Sequence, residues 1–364
     1  MTAGQIALKA LVMGFIISLI IISGFAYTTL LERKVLARLQ ARVGPNRTGY
    51  IPFPRRGGPE RRFLSGFMQP AADAVKLFFK EDPTPAKVDR PVYNLAPMLA
   101  VIPAILILAV IPWAPAMTIF GIDFEPYFAI APGVNVGVLF ILAITSIGVY
   151  GVVLAGWASN SKYAVLGGIR ASAQMISYEL ALGLSVLAPV MLANSMDLGV
   201  ITEAQRGGWY VFLQPLAAMV FCIAAVAELQ RSPFDLLEAE QELSAGFNVE
   251  YAGMRFGMFF MAEYMKMIIL SAIAAVFFFG GYLGPFVHQV PALGFVYMAL
   301  KIIGGLLLMI WIRASWPRLR YDQLMSFGWK VMLPIAVLNF VVTAVFIVLY
   351  EEGFFQTIVG ALFG

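Results

Sequence analysis

Residues 254–281 read MRFGMFFMAEYMKMIILSAIAAVFFFGG, and this stretch decides the class of fold. Beyond Arg255 near its start it carries only two charges, Glu263 and Lys266, in an otherwise apolar run. A membrane-crossing helix needs about 20 mainly apolar residues, and this run exceeds that. The pattern recurs along the chain at roughly 6–31, 92–113, 133–157, 172–193, 209–229, 293–312 and 329–350, so eight spans are expected. Composition agrees. Of the 364 residues 60% are apolar and 13% charged, where a soluble domain averages roughly 45–50% and 25%. A soluble fold of this size could not hide so much apolar surface in one core, so lipid is the expected solvent.

The basic residues set an expected orientation. Of the 25 Lys and Arg, the first, third, fifth and seventh connections take all but Lys9, Arg206, Lys266 and Lys301. The positive-inside rule then places those odd connections in the cytoplasm and both termini outside. The first span is too long for a cleaved leader, and its basic cluster follows the apolar run, which suggests a retained span. The chain reads as one membrane domain with two notable cytoplasmic segments. Residues 32–91 form a long basic loop, and residues 229–254 an acidic one. Within the first, Phe67, Ala71, Ala74, Val75, Phe78 and Phe79 recur at helical spacing, with Asp73, Lys76 and Lys80 largely off that face. A helix over about 67–80 lying along the interface is expected there.

Ionisable groups inside a membrane cost roughly 2.5–3.5 kcal/mol each on insertion scales, so each asks for a reason. Glu179 stands in the fourth span, Glu263 and Lys266 on one face of the sixth, and Lys301 in the seventh. Structural ion pairing or snorkelling is the plain alternative. The functional alternative, strongest for Glu179, is a carboxyl that takes up and releases protons. The acidic loop is the second anomaly. Glu228, Asp235, Glu238, Glu240, Glu242 and Glu250 face a single Arg231 there. Ser232, Pro233 and Asp235 suit the N-cap, N1 and N3 of a helix start. Helix capping explains Asp235 and Glu238 but not Glu240 and Glu242. A line of coupled carboxyls at the membrane edge is what a proton relay needs; a solvated acidic face is the competing account. Gly253/Gly257 and Gly280/Gly284 suggest close helix contacts.

The composition also excludes. One Cys (Cys222) and one His (His288) cannot ligate an iron–sulfur cluster, a bis-His haem or a His-rich zinc ion. Neither GxGxxG nor GK[ST] is present, so the common nucleotide cradles are missing.

Several strings together resemble one family. They are Leu31-Glu32-Arg33-Lys34 with Gly44-Pro45-Asn46, Gln69 to Leu77, Gly156 to Tyr163, Ile176-Ser177-Tyr178-Glu179, Ala227-Glu228 through Arg231-Ser232-Pro233-Phe234-Asp235 to Gly246-Phe247-Asn248-Val249-Glu250-Tyr251, Met261-Ala262-Glu263-Tyr264, and Trp311-Ile312-Arg313 with Arg320 to Leu324. In this order they resemble the quinone-site membrane subunit of respiratory complex I, the proton-pumping NADH–quinone oxidoreductase. The main departure is the Arg/Gly/Pro-rich insert at about 51–65, absent from the shortest members, to which no role carries over.

The resemblance implies an all-α polytopic membrane protein with eight spans and an interfacial helix, in a bacterial inner membrane. It implies a subunit without a redox centre, with flavin and iron–sulfur clusters in partner subunits and quinone as substrate. The implied partners are the peripheral-arm subunits at the quinone site and the neighbouring antiporter-like membrane subunits. Quinone would pass a lateral opening near the first span, the interfacial helix and the sixth span. Arg33, Arg170, Phe260 and Arg313 are implied as tunnel lining. Glu179, Glu228, Asp235, Glu238, Glu240, Glu242, Glu250 and Glu263 are implied as the acidic path to the pump. Two other readings share these features. A related membrane subunit of a hydrogenase-type complex would keep fold and acids without quinone. A stand-alone ion transporter would be active alone in liposomes.

Overall fold

In hydrocarbon each backbone N–H and C=O must find its partner within the protein, so long apolar runs fold as helices. A computed structural model describes residues 3–48, 51–53, 61–63, 66–119, 122–235 and 246–352. Helix α1 (Ala3–Leu39) is followed by a small hairpin, β1 (Ile51–Phe53) with β2 (Arg61–Phe63), and by α2 (Gln69–Phe79). Helix α3 (Arg90–Ile107) leads into a second antiparallel hairpin, β3 (Ala114–Ile119) with β4 (Ile122–Phe128). Next come α4 (Gly137–Ala158), α5 (Lys162–Ala193) and three shorter helices, α6 (Leu198–Ala204), α7 (Tyr210–Leu213) and α8 (Pro215–Glu228). Then follow α9 (Gly253–Phe278), α10 (Leu293–Ser315), α11 (Tyr321–Phe327) and α12 (Leu333–Glu351), with a π turn at Gly328–Met332 joining the last two. Seven of these units are long and apolar enough to cross a membrane: α1, α3, α4, α5, α9, α10 and the joined α11–α12; α8 is apolar but shorter.

Two expected spans change shape at prolines. The second, expected over 92–113, ends its helix at Ile107; the next residues close 3-10-type bonds such as Leu108 N–H to Ile105 O (3.2 Å). Pro112 and Pro115 cannot continue a helical ladder, and the chain turns instead into the hairpin, an element the apolar pattern did not announce. The fifth, expected over 209–229, is broken at Gln214, with φ −128° and ψ 55°. A residue before proline is driven out of the α region, while Pro215 itself suits the first position of α8.

Other local expectations are corrected. Residues 232–235 form a turn, and the rest of the expected helix, from 236 to 245, lies outside the described residues. Phe234 N–H closes on Arg231 O at 2.8 Å, and Leu319 N–H from the α10–α11 connection donates to Pro233 O at 3.1 Å. Of the Gly253/Gly257 and Gly280/Gly284 pairs, Gly257 makes a close helix contact, where a Cβ would stand 3.2 Å from Leu77 Cδ1 of α2, whereas Gly253 opens α9 and Gly280 follows it, with φ of +54° and +69°. Close backbone crossings lie on α4, where a Cβ on Gly156 would stand 2.6 Å from Ala164 O of α5 and one on Gly151 2.8 Å from Ala100 N of α3.

Helix α9 is buried along most of its length, whereas α1, α10 and α12 present rows of exposed Leu, Ile, Val and Phe. The amphipathic stretch is helical over α2, and its orientation is specific. Ala71, Ala74, Val75, Phe78 and Phe79 are exposed, while Pro70 is buried and Asp73 and Leu77 are partly covered. The odd-numbered connections gather at one end of the bundle. Asn160 Nδ2 donates to Lys87 O (3.1 Å), Tyr93 Oη to Glu250 O (2.6 Å), and Arg318 Nη2 to Asp235 Oδ2 (2.8 Å). At the opposite end Tyr127 Oη donates to Asp197 (2.7 Å), and Lys301 Nζ donates to Gly281 O and Leu283 O (2.6 and 2.8 Å). Lys301 is therefore a staple of that end.

Candidate functional site

At the end where the odd connections meet, four charged side chains from four parts of the chain are in contact. Glu32, near the end of α1, is 3% exposed. It accepts Arg231 Nη1 at 3.0 and 3.1 Å, and also Arg313 Nη1 from α10. On its other edge the Arg231 guanidinium meets Glu263 Oε1 of α9 at 2.5 Å, and its face covers the Tyr264 ring at 4.4 Å. Buried charges persist only when paired, and Arg231, 6% exposed, is paired twice. Burial alone would push its guanidinium down, but Glu263, Tyr264 and Glu32 outweigh that and push it up. It is a fixed positive charge joining two acids.

Beyond Glu263 the cluster opens into a cavity of about 60 Å³ lined by Glu228, Glu263, Lys266, Gln230, Asn248 and Phe260, with apolar neighbours. Glu228 Oε2, Gln230 Nε2 and Asn248 Oδ1 are buried without a hydrogen-bond partner among the described residues. A polar cavity of this size, with unsatisfied donors and acceptors on its wall, suits a few waters. Lys266 reaches into it from α9, and Glu228, Glu179 and Glu263 all act on its charge. Glu179, half-buried on α5, is held by α4, with Ser146 Oγ 2.5 Å and Thr145 Oγ1 3.3 Å from its Oε1. The cavity wall is positioned by Gln174, whose Nε2 donates to Ala227 O (2.8 Å) and Phe234 O (3.0 Å). One buried amide thus fixes both the end of α8 and the turn carrying Arg231. A second cavity, of about 790 Å³, lies between α1, α9 and α10 and is almost wholly apolar, with Ile17, Ile21, Ile268, Ile302 and Leu306 on its walls.

The family model described as NADH dehydrogenase matches residues 12–344. The chain is 48% identical over 328 residues to an H-type subunit of the NADH-quinone oxidoreductase of Geobacter metallireducens, covering 90% of this chain and 93% of that one. It is 46% identical over 346 residues to the corresponding protein of Syntrophobacter fumaroxidans, covering 95% and 97%. It is 46% identical over 336 residues to that of Thermomicrobium roseum, covering 90% and 92%. The chain belongs to the family of H-type subunits of NADH-quinone oxidoreductase. It is a multi-pass membrane subunit of an oxidoreductase complex.

In this member of the family the candidate residues fall into three groups. Glu228, Glu263 and Phe260 line one cavity, Glu179 faces it through Lys266, and Arg313 reaches it through Glu32 and Arg231. Asp235, Arg33, Arg170 and Glu250 stand apart from the cavity wall. Asp235 Oδ2 is bound by Arg318, while its buried Oδ1 has no hydrogen-bond partner among the described residues. Arg33 pairs with Asp73 of α2 at 2.7 Å and is half-exposed. Arg170 covers the Tyr321 ring at 5.0 Å. Glu250 lies beside the stacked rings of Tyr93 and Tyr251, 4.1 Å apart. Glu238, Glu240 and Glu242 lie outside the described residues. Among the described residues no three His, Cys, Asp or Glu are grouped to hold a metal ion.

Sequence reasoning missed Glu32 as a site residue. It sits beside Arg33 and Lys34 at the edge of a span, where an acid reads as a solvated member of a basic cluster. Its partners are 199 and 281 positions away. Gln230 and Asn248 carry no charge and gave no signal beyond their place in the family strings. Lys266 was visible as an anomaly but had no partner in view other than Glu263.

Proposed function

We propose that this chain forms the membrane wall of the quinone tunnel in a proton-translocating NADH–quinone oxidoreductase and couples quinone reduction to proton movement through its buried carboxyls. Arg33, Arg170, Phe260 and Arg313 serve the quinone. Glu179, Glu228, Asp235, Glu238, Glu240, Glu242, Glu250 and Glu263 carry the proton path. One observation carries the reading: Arg231 joins Glu32 and Arg313 on one side to Glu263 on the other, so charge is continuous from the ends of α1 and α10 to the polar cavity. In this reading α7 and α8 together make the fifth of eight crossings, and α2 lies along the interface with its apolar face in lipid. The odd connections are cytoplasmic, both termini lie outside, and the membrane is the bacterial inner membrane. The apolar cavity between α1, α9 and α10 offers a quinone's isoprenoid tail a lipid-like wall. Flavin and iron–sulfur clusters belong to partner subunits of the peripheral arm, which deliver electrons; antiporter-like membrane subunits take up the signal.

Reduction of quinone to quinol takes two electrons and two protons, so charge near the quinone head changes during turnover. A unit charge about 10 Å away is worth roughly 1.7 kcal/mol at an effective dielectric near 20. That exceeds the roughly 1.4 kcal/mol of one pKa unit, so a change at the Arg313–Glu32 end is enough to redistribute protons among the cavity acids.

Glu179→Gln tests the path. In native membrane vesicles this variant is expected to oxidise NADH with little proton translocation, read by a pH-sensitive dye. Translocation and quinone reduction both at the parental level would remove Glu179 from the path. Arg33→Ala tests the quinone wall. Exposed ion pairs contribute only about 0–1 kcal/mol, so losing the Asp73 contact leaves the fold standing. The apparent KM for long-tailed quinones is expected to rise severalfold; an unchanged KM would make Arg33 a lipid contact.

A further inference from the structure

Lys266 belongs to neither the quinone wall nor the acid path, yet its amine stands where the acids meet. It lines the same cavity as Glu228 and Glu263. Its charge faces carboxyls on three elements: Glu228 at the end of α8, Glu179 on α5 and Glu263 on its own helix. Room for the amine is built into α4, where a Cβ on Gly148 would stand 3.1 Å from Lys266 Nζ. The same turn of α4 supplies Thr145 and Ser146, which hold Glu179. On the other side Glu228, 4% exposed, keeps its Oε2 without a hydrogen-bond partner among the described residues. A fixed counter-charge is best made by a planar guanidinium clamped between carboxylates, as Arg231 is between Glu32 and Glu263. An amine on a flexible four-carbon stem can change partners and release its proton, which arginine cannot.

We propose that Lys266 is the proton-carrying link between the Glu228–Glu263 cavity and Glu179. This rests on the carboxyl path proposed above and names the group that spans its gap. The Lys266 ammonium gives a proton to the Glu179 carboxylate and becomes a neutral amine. The amine then takes a proton from the Glu228 carboxyl, which is left as carboxylate. The net change is one proton moved from Glu228 to Glu179, with the ammonium restored and no electron transferred.

The test uses the assembled complex in native membrane vesicles and reads protons translocated per NADH oxidised, for Lys266→Arg, Lys266→Met and Gly148→Ala beside Glu179→Gln. Lys266→Arg keeps the charge but holds its proton, and is expected to lower the ratio as far as Lys266→Met does. Rescue by Arg with loss in Met would mark a structural cation and overturn the proposal. Gly148→Ala displaces only the far end of a flexible side chain and is expected to lower the ratio in an otherwise whole complex. It decides the matter if neither variant at position 266 assembles, and an unchanged ratio there overturns the link. A lowered ratio in Glu179→Gln with a parental ratio in Lys266→Arg would end the role of Lys266 alone. Parental ratios in all four variants would end the carboxyl path itself.

Discussion

Replacing Arg231 with Met is expected to remove most of the assembled complex from the membrane. The side chain has similar reach, so the loss is one of charge. Glu263 would lose the guanidinium 2.5 Å from its Oε1, and Glu32 would keep only Arg313. Removing one partner of a buried pair costs about 3–5 kcal/mol, because the other charge is left uncompensated. That is comparable to the whole stability of many domains, about 5–15 kcal/mol. The Tyr264 ring also loses its cation. Native electrophoresis of solubilised membranes and the melting point of the surviving complex read the outcome. Parental assembly with an unchanged melting point would mean that the acids find other partners. Adding Glu263→Gln to the same chain is expected to recover part of the assembly, since it removes the carboxylate that lost its guanidinium; that non-additivity is the signature of direct contact.

Gly167→Ala is expected to spare assembly and to cut quinone reduction about ten- to hundred-fold, the range that a displacement of about 1 Å produces in a preorganised site. Gly167 is on α5 where the chain returning from the acidic loop crosses it. A Cβ there would stand 2.7 Å from Gly246 Cα, 2.8 Å from Gly246 C and 2.9 Å from Phe247 N. All three are backbone atoms, so the segment itself must move, and it carries Phe247 and Asn248 of the cavity wall. Steady-state turnover with a short-chain quinone, normalised to assembled complex, measures the effect. Parental turnover would show that the cavity tolerates the shift.

The membrane character of the chain, and most helix positions, follow from apolar runs alone, because hydrocarbon leaves the backbone few choices. The errors sit where proline overrides hydropathy: Pro112 and Pro115 turn the end of the second expected span into a hairpin, and Pro215 splits the fifth. The candidate site was partly readable for a related reason. A charge in an apolar run has no local partner, so Glu179, Glu263 and Lys266 stood out. Glu32 did not, since it adjoins Arg33 and Lys34 in sequence, and only the fold brings Arg231 and Arg313 to it. The acids of the loop were legible as a group but not as individuals. The structure gives Asp235 an arginine partner and places Glu228 in the cavity, a difference no spacing rule contains. The resemblance to a known family supplied what residue chemistry alone could not, namely the quinone.

Gln174 has a mechanical consequence. It grips both ends of the segment from Ala227 to Phe234 and rides on the same helix as Glu179, five residues or about 7.5 Å further along. A pull at the root of the acidic segment is therefore delivered down a rigid shaft to the mid-membrane acid, and the tether works in both directions. On the proposed path, Glu179 would then take an electrostatic input through Lys266 and a mechanical one through Gln174.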